Sequence, residues 1–261
     1  MGLIRNWRRK RALANTSIDE ALWQQAFAGL PFLRGLSSSD LTRLRELAVL
    51  FLAEKEMHGA DGFELTDDVR LSIALQACLP ILNLGLDQYD DWVGVVIYAG
   101  EFRVTREEMD EDGVMHEFED ELSGEAWEGG PVILSWQDAR MTDAGYNVVI
   151  HEFAHKLDMR NGDADGFPLP HEDMDVKQWG EVFGTAYDAF CRQVDAGEPT
   201  LVDPYASEHP AEFFAVMSEM FFTHSEVLAR DWPALYEQLA RYYRQDPAER
   251  LPASDLARPW A

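Results

Sequence analysis

The chain has 261 residues, 46% hydrophobic and 11% aromatic, which is enough to bury a sizeable core and too apolar for a disordered chain. Its 48 acidic residues against 22 basic ones give a formal charge of −26, a field that repels phosphate backbones and anionic lipid. Nucleic acid and membrane surfaces are therefore not expected partners. Cys78 and Cys191 lie far apart without metal-type spacing, as free thiols in a reducing compartment do. No apolar run approaches the roughly 20 residues of a membrane span, and no apolar core follows the basic Arg5, Arg8, Arg9, Lys10, Arg11 stretch. The expected location is cytoplasmic.

In chain order, Ile18, Leu22 and Ala26 recur at helical spacing, as do Leu41, Leu44, Leu47, Ala48 and Phe51 after a break at 31–39. Ser39 or Asp40 is the expected cap of the second helix. A third helix is expected near 69–79, capped by Thr66, Asp67 or Asp68 and ended by Pro80. Residues 92–98 are dense in β-branched and aromatic side chains, and 101–104 continue that strand. The acidic passage 107–128, with its turn-like Glu111-Asp112-Gly113, reads as an exposed hairpin or loop, and 131–136 as a short buried strand. The remainder is helical, broken by Gly/Asp/Pro-rich loops at 161–170 and 197–204. With no repeat, low-complexity tract or linker, the expectation is an α+β fold, mostly helical with one small mixed sheet.

Chemistry concentrates in His151-Glu152-Phe153-Ala154-His155, on a helix expected over 144–160 with Asp143 near its start and Asn161-Gly162 as its stop. Histidines four apart share a helix face, so two imidazoles can reach one ion. Zn2+ suits neutral imidazole, and a catalytic site takes a third protein ligand while keeping one position open. Glu152, beside the first imidazole, is placed to act as a general base on a water molecule. Surface-helix histidines are the plainer explanation of such a motif. Against it, Val148, Val149, Ile150, Phe153, Ala154 and Leu157 make the helix apolar, so its polar groups need compensating partners. The preceding strand is where a substrate-pairing edge would be needed.

For the third ligand Glu212 is favoured, in the Pro210-Ala211-Glu212-Phe213-Phe214-Ala215 segment, where Pro210 suits a first helical turn. His209 and His224, at the ends of that helix, compete with it. Glu219, two turns on, could accept from a ligand histidine or lie at the surface. Asp158 reads as structural. Asp163 and Asp165 are candidate anchors for the free amine of a substrate.

The residues 151–158, the loop 161–166, the segment 210–216 and the strand 132–136 resemble the Mlc titration factor A family of bacterial zinc peptidases. Segments 30–33 and 41–50 are similar too, so the likeness spans most of the chain. It implies one metallopeptidase domain over 1–261, with a helical part at about 15–80 and a zincin-like catalytic core at about 90–250, akin to the anthrax lethal factor peptidase domain. It further implies His151, His155 and Glu212 as zinc ligands, Glu152 as general base, and Tyr205 as the phenol that stabilises the oxyanion. Aminopeptidase-like hydrolysis of a peptide substrate is the implied activity. The family's name also implies an alternative, the sequestering of an Mlc-like transcriptional repressor of sugar uptake.

Overall fold

Two apolar periodicities near the N-terminus become α2 (Glu20–Ala28) and α3 (Ser38–Glu54), preceded by α1 (Gly2–Asn15), in a computed structural model that describes residues 2–109, 115–141 and 146–251. Ser37 caps α3, its hydroxyl accepting the Asp40 N–H at 3.1 Å. The first of three consecutive serines thus takes the place expected of Ser39 or Asp40. A short strand β1 (Glu56–Gly59) leads to α4 (Asp67–Cys78), where Thr66 is the cap and Asp67 and Asp68 put negative charge at the helix's positive end. Cys78 and Cys191 are both free thiols.

The sheet carries out the expectation in part. Strand β2 (Gly94–Tyr98) lies within the expected 92–98, but a bend at Ala99 and Gly100 turns the chain out of the sheet. Residues 101–104 therefore do not continue β2. They enter β3 (Phe102–Met109), which pairs antiparallel with β4 (Met115–Leu122) in a separate hairpin. The acidic passage is thus largely hairpin; Glu111-Asp112-Gly113 lies outside the described residues. After β5 (Gly124–Ala126) comes β6 (Val132–Ser135), and the four-stranded order is β1-β2-β6-β5. The first three strands in that order run parallel and β5 runs antiparallel to β6. Strand β6 is therefore interior, with Val132 and Leu134 fully buried, and the edge on its side of the sheet is β5.

A turn of helix, α5 (Trp136–Ala139), follows β6 directly. The metal-motif helix α6 spans Val148–Asp158 rather than 144–160, because the Asn147 side chain caps it by accepting the Ile150 N–H at 2.8 Å. Asp143 lies outside the described residues. Every residue of α6 is buried. Its Phe153 ring packs 5.7, 5.2 and 5.5 Å from the rings of Phe51, Tyr89 and Trp92, which anchors the helix to α3 and to the segment leading into β2. Burying one such side chain contributes about 1.5–3 kcal/mol.

Next are α7 (Val176–Asp195), α8 (Pro210–Thr223), α9 (Ser225–Asp231), α10 (Pro233–Tyr243) and α11 (Pro247–Arg250). Asp158, at the end of α6, accepts the Gly166 N–H at 2.7 Å. Gly166 sits at φ +79°, and a Cβ there would meet the Pro210 carbonyl oxygen at 2.4 Å. Only glycine lets the loop lie this close to the start of α8. Asp158 is thus structural, as expected, and it ties the end of one motif helix to the beginning of the other.

Candidate metal centre

Helices α6 and α8 face each other through polar groups set in an apolar interface. His151 Nε2 lies 3.0 Å from Glu212 Oε2 and 3.1 Å from His155 Nε2, and His155 Nε2 lies 3.3 Å from the same Glu212 oxygen. Three donors at these separations outline one face of a tetrahedron, since bonds of about 2.0–2.1 Å from a central ion set ligand edges near 3.3 Å. Among the described residues this trio is the group able to hold a metal ion. His209 and His224 are not in it: His209 caps α8 by accepting the Ala211 N–H, and His224 contacts Thr223 Oγ1 at the far end.

Glu219 is 2% exposed and sits behind His151, with its Oε1 2.8 Å from Nδ1 and its other oxygen accepting the Asn147 N–H. One carboxylate thus fixes both the His151 ring and the start of α6. With Nδ1 committed to Glu219, Nε2 faces His155 and Glu212, where a metal ion would take the place of the ring proton.

The charges favour a bound cation. Burial works to lower the pKa of His151, but its bonds to Glu212 and Glu219 outweigh that and hold it well above the ordinary imidazole value. Burial likewise opposes ionisation of Glu212, yet the hydrogen bonds from His151 and His155 hold its carboxyl far below the usual range. Two carboxylates around a buried imidazole therefore stabilise positive charge there, and the donor set of two nitrogens and one oxygen fits a metal ion. Burial pushes Glu152 up to about 7, with His151 and His155 opposing it. Its Oε2 is buried and without a hydrogen-bond partner among the described residues.

A cleft of about 530 Å³ opens beside this group, with Ser123, Gly124, Tyr146, His151, Glu152 and Tyr205 in its wall. Tyr205 is 44% exposed, and its ring lies 6.2 Å from that of His151. Asp163 and Asp165 do not line the cleft; Asp165 instead accepts the Phe167 N–H inside its own loop. The carboxylates that do line it include Glu121, Asp203 and Glu208. Sequence patterns gave no sign of Gly124 or of the Ser123–Tyr146 hydroxyl pair: Ser123 and Gly124 lie in the acidic passage read as an exposed hairpin or loop, and Tyr146 in the segment expected to begin the motif helix.

Comparison with known proteins gives the family. The chain is 41% identical over 245 residues to Mlc titration factor A of Salmonella typhi, covering 92% of this chain and 91% of that protein. It is equally similar to the protein of the same name from Salmonella paratyphi B, with the same coverage. That of Salmonella schwarzengrund is 41% identical over 242 residues, or 90% of each chain. The family model described as glucose-regulated metallo-peptidase M90 matches residues 4–244. The chain belongs to this metallopeptidase family.

Proposed function

We propose that this chain is a zinc-dependent peptidase that hydrolyses peptide bonds with water, acting in the cytoplasm as one domain on short substrates with a free N-terminus. The observation that carries the reading is the triangle of His151, His155 and Glu212 with Glu152 beside it at the cleft wall. These three residues would hold the ion. When bound, zinc supplies Lewis acidity, which makes water nucleophilic at neutral pH and polarises a carbonyl. Glu152 takes the proton of the attacking water and passes it to the leaving amine, a task suited to a carboxyl that burial makes a better proton acceptor than an exposed one. Tyr205 donates its phenolic hydrogen to the carbonyl oxygen as charge develops there. Glu121, Asp203 and Glu208 give the cleft the negative charge that a substrate ammonium requires.

A second reading is favoured by the name of the relatives, Mlc titration factor A. In it the chain also sequesters an Mlc-like repressor, and its strongly acidic surface suits a basic partner. One set of variants tests both readings. Glu152→Gln is expected to lower kcat by about 10²–10⁴-fold while keeping stoichiometric zinc. Glu212→Ala is expected to lose or weaken the zinc. Retained repressor binding by inactive Glu152→Gln would support the second role. Full activity in Glu152→Gln, or equal zinc in Glu212→Ala and wild type, would sink the first.

A further inference from the structure

On the α6 surface turned towards the sheet, Val148, Glu152 and Lys156 follow at four-residue intervals, so they form one row. The edge strand β5 passes over this row. At its first residue, a Cβ built on Gly124 would lie 2.4 Å from Glu152 Oε1, 2.8 Å from Glu152 Cγ and 2.6 Å from Val148 Cγ2. No side chain fits between strand and carboxylate. The other end of the row is tied down: the Lys156 ammonium donates to the carbonyls of Trp127 and Gly130, in the turn that joins β5 to β6. The strand is further held by its pairing with β6 and by the Ser135 N–H, which Ser123 O accepts at 2.7 Å. It therefore has little room to retreat from the helix.

We infer that Gly124 is a positioning residue for Glu152: its bare Cα lets the edge strand wall in the carboxylate and so fixes where the proton-accepting oxygen sits. The inference rests on Glu152 being the general base. What an added methyl would meet are side-chain atoms, Glu152 Oε1 and Cγ and Val148 Cγ2, and no backbone. The Glu152 side chain, the longer and more flexible of the two, is what moves. A displacement of about 1 Å in a reacting group costs up to about 10²-fold in rate.

The test measures kcat, KM, zinc content and melting temperature for Gly124→Ala, with a short unblocked peptide carrying a fluorogenic leaving group as substrate. Expected are a kcat lowered about 10–100-fold, a KM within about threefold of wild type, and unchanged zinc. Two backgrounds show the route of the effect. In Glu152→Asp, whose carboxylate is withdrawn by one methylene, Gly124→Ala should lower the residual rate by less than about threefold. In Val148→Ala, which removes the competing contact, Gly124→Ala should remain as harmful as in wild type. The Val148→Ala comparison also stands in should the single variant fail to fold. An unchanged kcat in Gly124→Ala, full rescue by Val148→Ala, or an undiminished loss in the Glu152→Asp background would overturn the inference. An active Glu152→Gln would instead overturn the assignment of the base, so the two failures are distinguishable.

Discussion

Helix α6 and helix α1 are attached to the molecule by opposite means. All eleven residues of α6 are buried, and Phe153 alone meets three other aromatic rings. Helix α1 has no buried side chain among those described. It is held by Arg9, which forms ion pairs with Glu54 and Asp87, and by Arg5, which pairs with Asp87 and Asp90, while Ile4 and Trp7 stay exposed. Apolar burial is largely indifferent to salt and fixes geometry tightly, whereas partly exposed ion pairs are weak and screened. The helix that carries both histidines of the candidate metal centre is held mainly by the first kind of attachment.

The contrast breaks most visibly at Phe153. Phe153→Ala should lower the unfolding free energy by about 3–5 kcal/mol, read by urea denaturation, since it leaves a cavity under the metal-motif helix. A loss below about 1 kcal/mol would mean that the aromatic cluster is not what anchors α6.

A middle case is His224, buried at the end of α8, where burial lowers its pKa to about 4. The unfolded chain, with an imidazole near 6.5, then binds more protons than the folded one between those values. Stability is therefore full above pH 6.5 and falls as pH drops towards 4. Allowing for partial screening, the loss is about 1–2 kcal/mol, and His224→Gln should lack it in denaturation curves compared across that window. Equal acid sensitivity in the variant would assign the loss to other groups.

The smallest effect belongs to α1. Arg9→Ala should cost about 0.2–1 kcal/mol at low salt, and almost nothing near 1 M salt, where the screening length is about 3 Å. A loss that persists in high salt would place α1 among the apolar attachments after all.

The same contrast governs what could be read from the sequence. The α6 motif and the Pro210–Thr223 helix were legible because local chemistry specifies them: imidazoles one turn apart, a proline at a first turn, continuous apolar content. Helical spacing to Glu212 left Glu219 open between accepting from a histidine and lying at the surface, and its burial behind His151 decides for the first. Helix α1 was not anticipated, because its partners Asp87 and Asp90 lie some 80 residues away and leave no periodicity in 2–15. Nor was β1, where only Met57 is buried. The start of α6 was misjudged because the cap is one asparagine whose role depends on its backbone angles. Gly124 was invisible for a related reason. It matters through the Glu152 side chain that faces it, and a glycine in an acidic passage carries no mark of that.

The third donor has a further consequence, one of timing. Glu212 meets His151 across 61 residues of chain, and Glu219 meets it across 68. At a synthesis rate of about 5–20 residues per second, roughly 3–13 seconds separate the appearance of the two parts. Until α8 has emerged and docked, the nascent chain holds two imidazoles and a lone carboxylate with nothing to complete them. The triangle of donors is closed only by the finished fold, so a chain abandoned before that helix lacks the centre altogether.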